Sequence, residues 1–484
     1  MLIQELITNT NDVVEKLFVN RNLAQVSYDT FYNGFFYNKF LEYTEVNKVS
    51  FKLIFTGKSS FRIICKNCNK EIILVSEKLE SKNSKGTFVC DISLLNLPQN
   101  GMIYPVFNDF DSDFKIINFS YSCDTKAKTP FVAAIICTYK RDEFVYKNLE
   151  RLTECKGLLN KVIVVDNGNT INANLNDDFV KVVPNLNLGG SGGFTRGMME
   201  AKNMGATHML LMDDDIVIVP ETICRAIYFL SLLKDEYADM WLGYSMILNN
   251  KPTTQFELGS RWSGYKMMIN NHNIPLTSVK SLFRNETHHK YNYSAWWSLF
   301  MPVSVIDKNG LPYPFFIKFD DIEYGIRSKN QKILLSNGFG VWHENFDDKY
   351  SPSLEYYLMR NAAITNALHF SNSSRLTAFR YFGKCVKSYL KFKFVRIKMI
   401  NAGLEDYFKG PSFLIKLDQI ENNAFVKAKS TIKPNPIISF LFYPIIIIKN
   451  VIKIWIINKK IAISYLNNFV NLTSEENWKK LLGL

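Results

Sequence analysis

The sequence predicts an α/β chain organised around a parallel sheet, with a β-rich segment in front of it and a basic helical segment behind. Three observations predict this. Uninterrupted apolar runs alternate with helical stretches between Phe131 and Met212, the pattern of strands buried on both faces and joined by crossover helices. The polar motifs follow the ends of those runs. The alternation stops near Phe370, and from there the chain is helical and strongly positive. These changes divide the chain into residues 1–125, 126–370 and 371–484.

In the first segment, Val49–Phe55 alternates in residue type. Phe61–Cys65 and Glu71–Val75 are short apolar runs, and polar pieces such as Ser81–Gly86 separate them. Several short strands with polar turns suggest a small β-sandwich. In the second segment, Phe131–Cys137, Lys161–Val165, Phe179–Val183 and Thr207–Met212 read as strands, with helices over Asp142–Leu158 and Phe194–Met204. Ligands of such sheets bind outside the carboxyl ends of the strands. Four motifs converge there: Thr138–Arg141, Asp166–Gly168, Asn187–Gly190 and Asp213–Asp215.

The third segment has no acidic residue from Ser371 to Leu404, yet it holds Arg375, Arg380, Lys384, Lys387, Lys391, Lys393, Arg396 and Lys398. Further on, Asn435–Ile448 is uncharged and apolar, contains Pro444, and is followed by Lys449, Lys453, Lys459 and Lys460. At 14 residues it is shorter than the roughly 20 that a spanning helix needs. The trailing lysines suit a segment lying on an anionic membrane face. A buried hairpin of a helical domain fits the periodicity equally well.

The chain has 484 residues, 47% of them hydrophobic and 21% charged, with a net charge of +13. That length accommodates two to four domains. The positive balance suits an anionic partner: nucleic acid, lipid surface or phosphorylated substrate. No nucleic-acid-binding module accompanies it, so nucleic acid is not an expected partner. Eight cysteines show no repeating frame. Cys137, Cys155 and Cys224 sit in apolar segments as buried thiols, and the lone pair Cys65–Cys68 lacks the second pair a structural zinc needs. This usage fits a reducing, cytoplasmic compartment. Met1–Glu5 lacks the basic start and apolar core of a secretory signal.

The chemistry centres on Asp213-Asp214-Asp215 at the end of an apolar run. Three adjacent carboxylates repel one another, an arrangement that a divalent cation makes tolerable. Asp213 and Asp215 project to one side if the strand continues, and His343, read as following the apolar strand Lys332–Leu335, is the third candidate ligand. Oxygen ligands with one imidazole favour Mn2+ or Mg2+ over zinc. Such a cation would bridge two phosphates and neutralise a departing nucleotide. The stretch Gly189–Gly193 ahead of a helix lets backbone N–H groups approach an anion, or else is a tight packing loop. A second acidic site follows an aromatic run, Phe315–Tyr324. There Asp320 and Glu323 can cap and brace a helix, leaving Asp321 as a general base for an acceptor hydroxyl. Trp296 and Trp297 could stack on sugar rings, unless core packing claims one of them.

Taken together and in order, Cys137–Arg141, Asp166–Gly168, Asn187–Phe194, Asp213–Asp215, Trp296-Trp297, Phe316–Tyr324 and Trp342-His343 resemble the bacterial galactofuranosyltransferases of glycosyltransferase family 2, typified by the polymerising enzyme of mycobacterial arabinogalactan synthesis. The resemblance covers roughly residues 130–365. It implies a GT-A domain (Rossmann-like and nucleotide-sugar-binding) between an N-terminal β-sandwich and a C-terminal helical domain. It also implies inverting transfer from UDP-galactofuranose to a surface glycan or lipid-linked glycan at the inner face of the cell membrane. By motif, Arg141, Asn167 and Asn187 would hold UDP, with Thr138, Asp166 and Asp214 also in the substrate site. Asp213, Asp215 and His343 would bind the metal, Asp321 would be the base, and Asp320, Trp296 and Trp297 would face the acceptor. Asn167 stands where the family carries glutamine, and the tryptophan expected three residues after His343 is Phe346. The implied partners are a UDP-sugar, a glycan acceptor, an anionic membrane surface and a second copy of the chain. The rival readings are a family 2 enzyme using another donor such as dTDP-rhamnose, an inert carbohydrate-binding relative, and a nucleic-acid binder.

Overall fold

The computed structural model describes all residues except 9–12, 288–289, 330 and 346–349, and the side chains of residues 82–84. Its N-terminal part is a seven-stranded antiparallel sheet dominated by a long hairpin, β1 (Lys48–Lys66) and β2 (Glu71–Ser93). The expected turn over Ser81–Gly86 is part of β2, and the irregularity there is a register shift opposite Phe55 and Gly57. On its other edge, β1 pairs with two strands in succession. Ser60–Lys66 takes β3 (Met102–Asn108), and Ser50–Thr56 takes β4 (Lys115–Ser122). The sheet thus covers a single aromatic core that includes Phe51, Phe61, Phe107, Phe119 and Tyr121.

The central sheet has seven strands. Four of them are the expected parallel runs: β5 (Val132–Thr138), β6 (Lys161–Asp166), β7 (Val180–Pro184) and β8 (His208–Asp213). With β9 (Trp241–Gly243), β11 (Ser298–Pro302) and β12 (Ile333–Leu334), the order is β7-β6-β5-β8-β11-β9-β12, β11 running antiparallel to β8. Two further strands, β10 (Ser245–Leu248) and β13 (Gly340–His343), belong to a separate five-stranded sheet. His343 therefore does not follow Lys332–Leu335. The chain breaks at Ser336–Phe339 and starts a new strand, which runs parallel to β10.

Helix α1 (Asp142–Thr153) starts as expected, with Asp142 and Glu143 favourably placed in its first turn. Helix α2 (Gly189–Asn203) does not. The glycine run is not a loop before the helix but its first turns. Glycine weakens a helix by about 1 kcal/mol relative to alanine, so packing must compensate. A Cβ at Gly193 would lie 2.1 Å from Cys137 Sγ, and one at Gly197 would lie 2.2 Å from Ile135 Cγ2. The helix sits so close to β5 that only glycine fits.

Helix α3 (Pro220–Ser231) anchors the N-terminal part, since its buried Arg225 donates to the Glu5 and Tyr32 carbonyls. Helix α4 (Asp320–Arg327) opens with the two acids of the second motif, and Phe319, not Asp320, stands at its N-cap position. Beyond it lie α5 (Leu354–His369), α6 (Ser373–Tyr389) and α7 (Phe394–Phe408). One apolar core joins the sheet to these helices: Leu210 and Phe300 cluster with Met359, Ile364, Ile397 and Tyr407.

The apolar segment near the end is neither a 14-residue piece nor a hairpin. It opens α8 (Pro436–Asn467), a single helix of 32 residues, about 48 Å long at 1.5 Å per residue. Pro444 would break such a helix by removing a donor. Here the Phe440 carbonyl it leaves unpaired accepts from the Tyr389 hydroxyl at 2.9 Å. By length and composition α8 could cross a membrane. One stripe, however, stays buried along its whole length: Ser439, Tyr443, Ile447, Ile454, Asn458, Ala462 and Tyr465. Hydrogen bonds from Asn450 to Tyr381, Asn458 to Ser373 and Tyr465 to the Tyr407 carbonyl fasten it to the bundle.

Gly197→Ala should reduce stability by about 1–3 kcal/mol, the cost of overpacking, although alanine is the better helix former. Urea denaturation measures it, and a neutral or stabilising result would show that α2 can move off β5.

Candidate functional site

The three carboxylates at the end of β8 take different directions because the strand stops at Asp213. Asp214 turns inward. Its Oδ2 accepts from Thr138 Oγ1 at 2.8 Å, and its Oδ1 meets Arg141 at 3.1 Å. The buried Asn148 amide donates to its carbonyl at 2.8 Å. Burial pushes the Asp214 carboxyl up to about 6, with Arg141 and Thr138 opposing. Arg141 also contacts Asp215 Oδ2 at 2.7 Å. Burial draws its pKa down, but the two carboxylates outweigh that and raise it.

Past the turn, Val217 and Ile218 pair antiparallel with Trp342 and Val341 of β13, and this pairing brings His343 to the acidic run. His343 Nε2 lies 3.3 Å from Asp215 Oδ1 and 3.6 Å from Asp213 Oδ2. All the ligand atoms of this group lie within 4.8 Å of one another. The other ring nitrogen, Nδ1, is 2.6 Å from the Glu344 carbonyl, which leaves Nε2 to donate to the carboxylates when protonated or to offer its lone pair to a cation held between them. Burial lowers the His343 pKa, but hydrogen bonds and charge from Asp213 and Asp215 overcome it and lift it to about 9. Asp213 is the exposed member of the set, its side chain 36% accessible against 4% for Asp215 and 3% for His343. Two carboxylates and one imidazole, open on a single side, fit Mn2+ or Mg2+ by donor chemistry.

The second acidic motif meets the same strand ends. The charges of Asp213, Asp214 and Asp320 all reach Cys137, at the end of β5, whose thiol burial already pushes far up. Asp320 lies against the start of α2, where a Cβ on Gly190 would stand 3.4 Å from its Oδ2. Burial raises both Asp320 and Asp321. The Asp320 charge raises Asp321 further, and the Asp213 charge adds to Asp320. The Glu257 charge also raises Asp321, and burial pushes the Glu257 carboxyl itself up to about 7. Glu257 Oε1 is buried with no hydrogen-bond partner among the described residues.

The side chains of Thr138 and Asp214 bond to each other. The Asp166 carboxylate accepts from the backbone N–H groups of Gly168, Thr170 and Ile171 at 2.9, 2.7 and 2.7 Å, shaping its own loop. Asn167 is buried and donates to the Gly189 carbonyl at 3.1 Å, while accepting from Asn185 at 2.8 Å. Asn187 accepts from Gly189 N at 3.2 Å. The three asparagines tie the exits of β6 and β7 to the start of α2.

Trp296 and Trp297 are both buried, not displayed as stacking platforms. Trp296 packs edge-on against Phe194 and Tyr324. Trp297 donates to the Tyr244 carbonyl at 2.9 Å and backs the His343 ring at 6.5 Å. The double-tryptophan signal thus marks the floor of the site. Phe346 lies outside the described residues. Sequence reasoning missed Glu257, Asn148 and Asn185. Glu257 ends the polar strand Lys251–Glu257, which in sequence looks like a solvent-facing edge. Cys65 is buried and Cys68 exposed, so the lone CxxC does not converge on one site.

Residues 133–286 match the family model for glycosyl transferase family 2. Two curated relatives are galactofuranosyltransferase GlfT2 of Mycolicibacterium smegmatis, 26% identical over 249 residues, and GlfT2 of Mycobacterium tuberculosis, 27% identical over 258 residues. Each match takes in 48% of this chain and 38% or 39% of the relative, so the chain spans about two fifths of the length of these relatives. Among solved structures, the mannosyltransferase PcManGT from Pyrobaculum calidifontis in complex with GDP-Man and Mn2+ is similar at 11% identity, with a TM-score of 0.35 over 70% of this chain and 90% of that one. Glucosyl-3-phosphoglycerate synthase from Mycobacterium tuberculosis in complex with Mn2+, UDP and glucosyl-3-phosphoglycerate is similar at 13% identity, with a TM-score of 0.31 over 48% and 78%.

Because His343 is protonated below about pH 9 in the metal-free protein, cation binding at this centre must expel a proton. Mn2+ affinity should therefore rise by up to about tenfold per pH unit between about pH 7 and 9 and then level off. Calorimetry in buffers of different ionisation enthalpy measures the released proton. A flat pH dependence would remove His343 from the ligand set.

Proposed function

With a glycosyltransferase family 2 domain over residues 133–286 as the premise, we propose that the chain is a metal-dependent inverting galactofuranosyltransferase, moving galactofuranose from UDP-galactofuranose to a surface glycan. One observation carries the reading. The Asp213–Asp215 carboxylates and the Asp320–Asp321 pair, over a hundred residues apart in sequence, lie at the same strand ends, and His343 joins the first pair there. The choice of sugar draws its support from the two GlfT2 relatives.

In this reading Asp213, Asp215 and His343 hold the cation, which when bound would offset the charge growing on the departing diphosphate. Arg141 keeps Asp214 and Asp215 from repelling each other, and Asn167 and Asn187 hold the rim that receives the nucleotide. Asp321 takes the proton of the acceptor hydroxyl as that oxygen attacks the anomeric carbon. The new C–O bond forms on the face opposite the breaking bond to phosphate, which inverts the centre. Asp320, over the start of α2, and Glu257, within electrostatic reach of Asp321, would meet the acceptor. A base must be ionised to act, and Asp321 is raised. Turnover should therefore fall on acidification at a pH above the ordinary carboxylate range.

The reading extends to the inner membrane face as the place of work. The outward side of α8 exposes Ile445, Ile452, Ile456 and Ile463 together with Lys449, Lys459 and Lys460, and the nearby Leu390 and Phe392 are exposed as well. No acidic residue occurs from Asn422 to Ser474. The positive charge opposes face-to-face pairing of two copies and suits anionic lipid. The buried stripe would hold α8 in the plane of the surface instead of across the bilayer.

Asp321→Asn should keep UDP binding in the presence of Mn2+ within about twofold and lower kcat by about 10²–10⁴-fold, measured with a panel of nucleotide sugars that includes UDP-galactofuranose. Normal turnover would exclude Asp321, and turnover with dTDP-rhamnose alone would replace the donor. The protein should also float with phosphatidylserine vesicles at low salt and be released at about 1 M salt, while phosphatidylcholine vesicles should recover far less. Equal recovery on both lipids would refute the electrostatic part.

A further inference from the structure

The turn that delivers Asp320 and Asp321 is built from unfavourable backbone. Phe316, Lys318 and Phe319 have φ of 75°, 65° and 75°, the left-handed region that bulky side chains rarely adopt. Three such residues just before two acids do not persist unless the surroundings over-determine them. The start of α2 supplies one hold: Ser191 N donates to the Phe316 carbonyl at 3.2 Å, and Ser191 Oγ to the Tyr313 carbonyl at 2.7 Å. The other hold comes from α5. The Asn361 amide donates to the carbonyls of Ile317 at 2.9 Å and Lys318 at 2.8 Å, and Arg360 donates to that of Phe315 at 2.8 Å.

Both side chains are fully buried. Arg360 Nε donates to Asn361 Oδ1 at 2.9 Å, which fixes the amide so that its N–H groups face the turn. A buried guanidinium is costly unless paired. Among the described residues no carboxylate forms an ion pair with this one. Its partners are the Phe315 carbonyl, Asn361 Oδ1, the Tyr356 hydroxyl at 3.1 Å and the faces of Tyr356 and Tyr357. A leucine here would fill space without that cost. What the pair supplies instead is three directed donors to three carbonyls of one strained turn.

We propose that Arg360 and Asn361 are positioning residues for the transfer step, clamping the Phe315–Phe319 turn in the conformation that aims Asp321 at the acceptor hydroxyl. The proposal rests on the assignment of Asp321 as base and adds residues from a helix that carries none of the motifs. It makes α5, which packs the central sheet against the helices that follow, part of the catalytic geometry.

Asn361→Asp is the discriminating variant. It keeps the shape and the acceptor for Arg360 Nε but replaces the donors to Ile317 and Lys318 with an oxygen that repels them. In the full-length protein with Mn2+, kcat should fall about 30–100-fold, the scale of a small misplacement of a reacting group. KM for the donor and UDP affinity should stay near wild type, while the melting temperature falls by a few degrees because two buried carbonyls lose their donors. Arg360→Lys, which keeps a donor and the charge but loses the fork, should fall less, about tenfold. If Asn361→Asp does not fold, Arg360→Lys is read by the same split. Unchanged kcat in a folded variant would overturn the clamp, as would an equal loss of donor affinity, the mark of a merely structural role. Asp321→Asn assayed alongside separates the two claims. An active Asp321→Asn removes the base and the clamp's purpose with it, whereas an inactive one beside a fully active Asn361→Asp keeps the base and removes the clamp.

Discussion

Three adjacent carboxylates at the end of one strand cannot all face the same water without strong repulsion, and the architecture around the site resolves that conflict. Asp214 is withdrawn into the protein, where Thr138 and Arg141 hold it. Arg141 also meets Asp215 and so prevents the pair from repelling each other. With the middle charge removed, Asp213 and Asp215 are left around the His343 imidazole. The bend that achieves this also steers the chain into its pairing with β13, so one local electrostatic problem sets the route of the backbone and brings a distant histidine into the site.

The rim around this centre is built by polar groups that serve the backbone first. Asp166 folds its own loop, and Asn167 and Asn185 link the exits of β6 and β7 to the start of α2. The glycines of α2 let the acidic turn close over it. A Cβ at Gly189 would lie 2.1 Å from the Phe316 carbonyl oxygen. Close approach explains the glycine run better than an open anion-binding loop does, although both readings place a helix start beside the candidate site.

Much of this was legible in the sequence, because burial and periodicity are local signals. The four parallel strands lie within a residue or two of their apolar runs, and the Asp-x-Asp pair follows from its place at a strand end. What was not legible depends on tertiary contact. Glycine propensity argued against a helix at Gly189, and packing against Cys137 and Ile135 overrode it. Lysines after Ile448 looked like the end of an apolar segment, yet α8 continues through them because a stripe four residues apart is buried. Trp296 and Trp297 carry no mark telling floor from wall. Glu257 looks like an exposed strand residue until the fold buries it within electrostatic reach of Asp321.

Strand β13 is only four residues long, and its alternation serves two masters. Trp342 packs against Tyr32 of the N-terminal part at 5.8 Å and donates to the Pro252 carbonyl, while the next residue, His343, faces the carboxylates. The Tyr32 hydroxyl reaches the same strand at the Gly340 carbonyl, 3.2 Å away. The N-terminal part, which holds none of the candidate-site residues, thereby braces one of them. Loosening it would first be felt as a poorly seated imidazole, long before the central sheet lost its shape, so truncating this seemingly passive part would disarm the centre while leaving its scaffold standing.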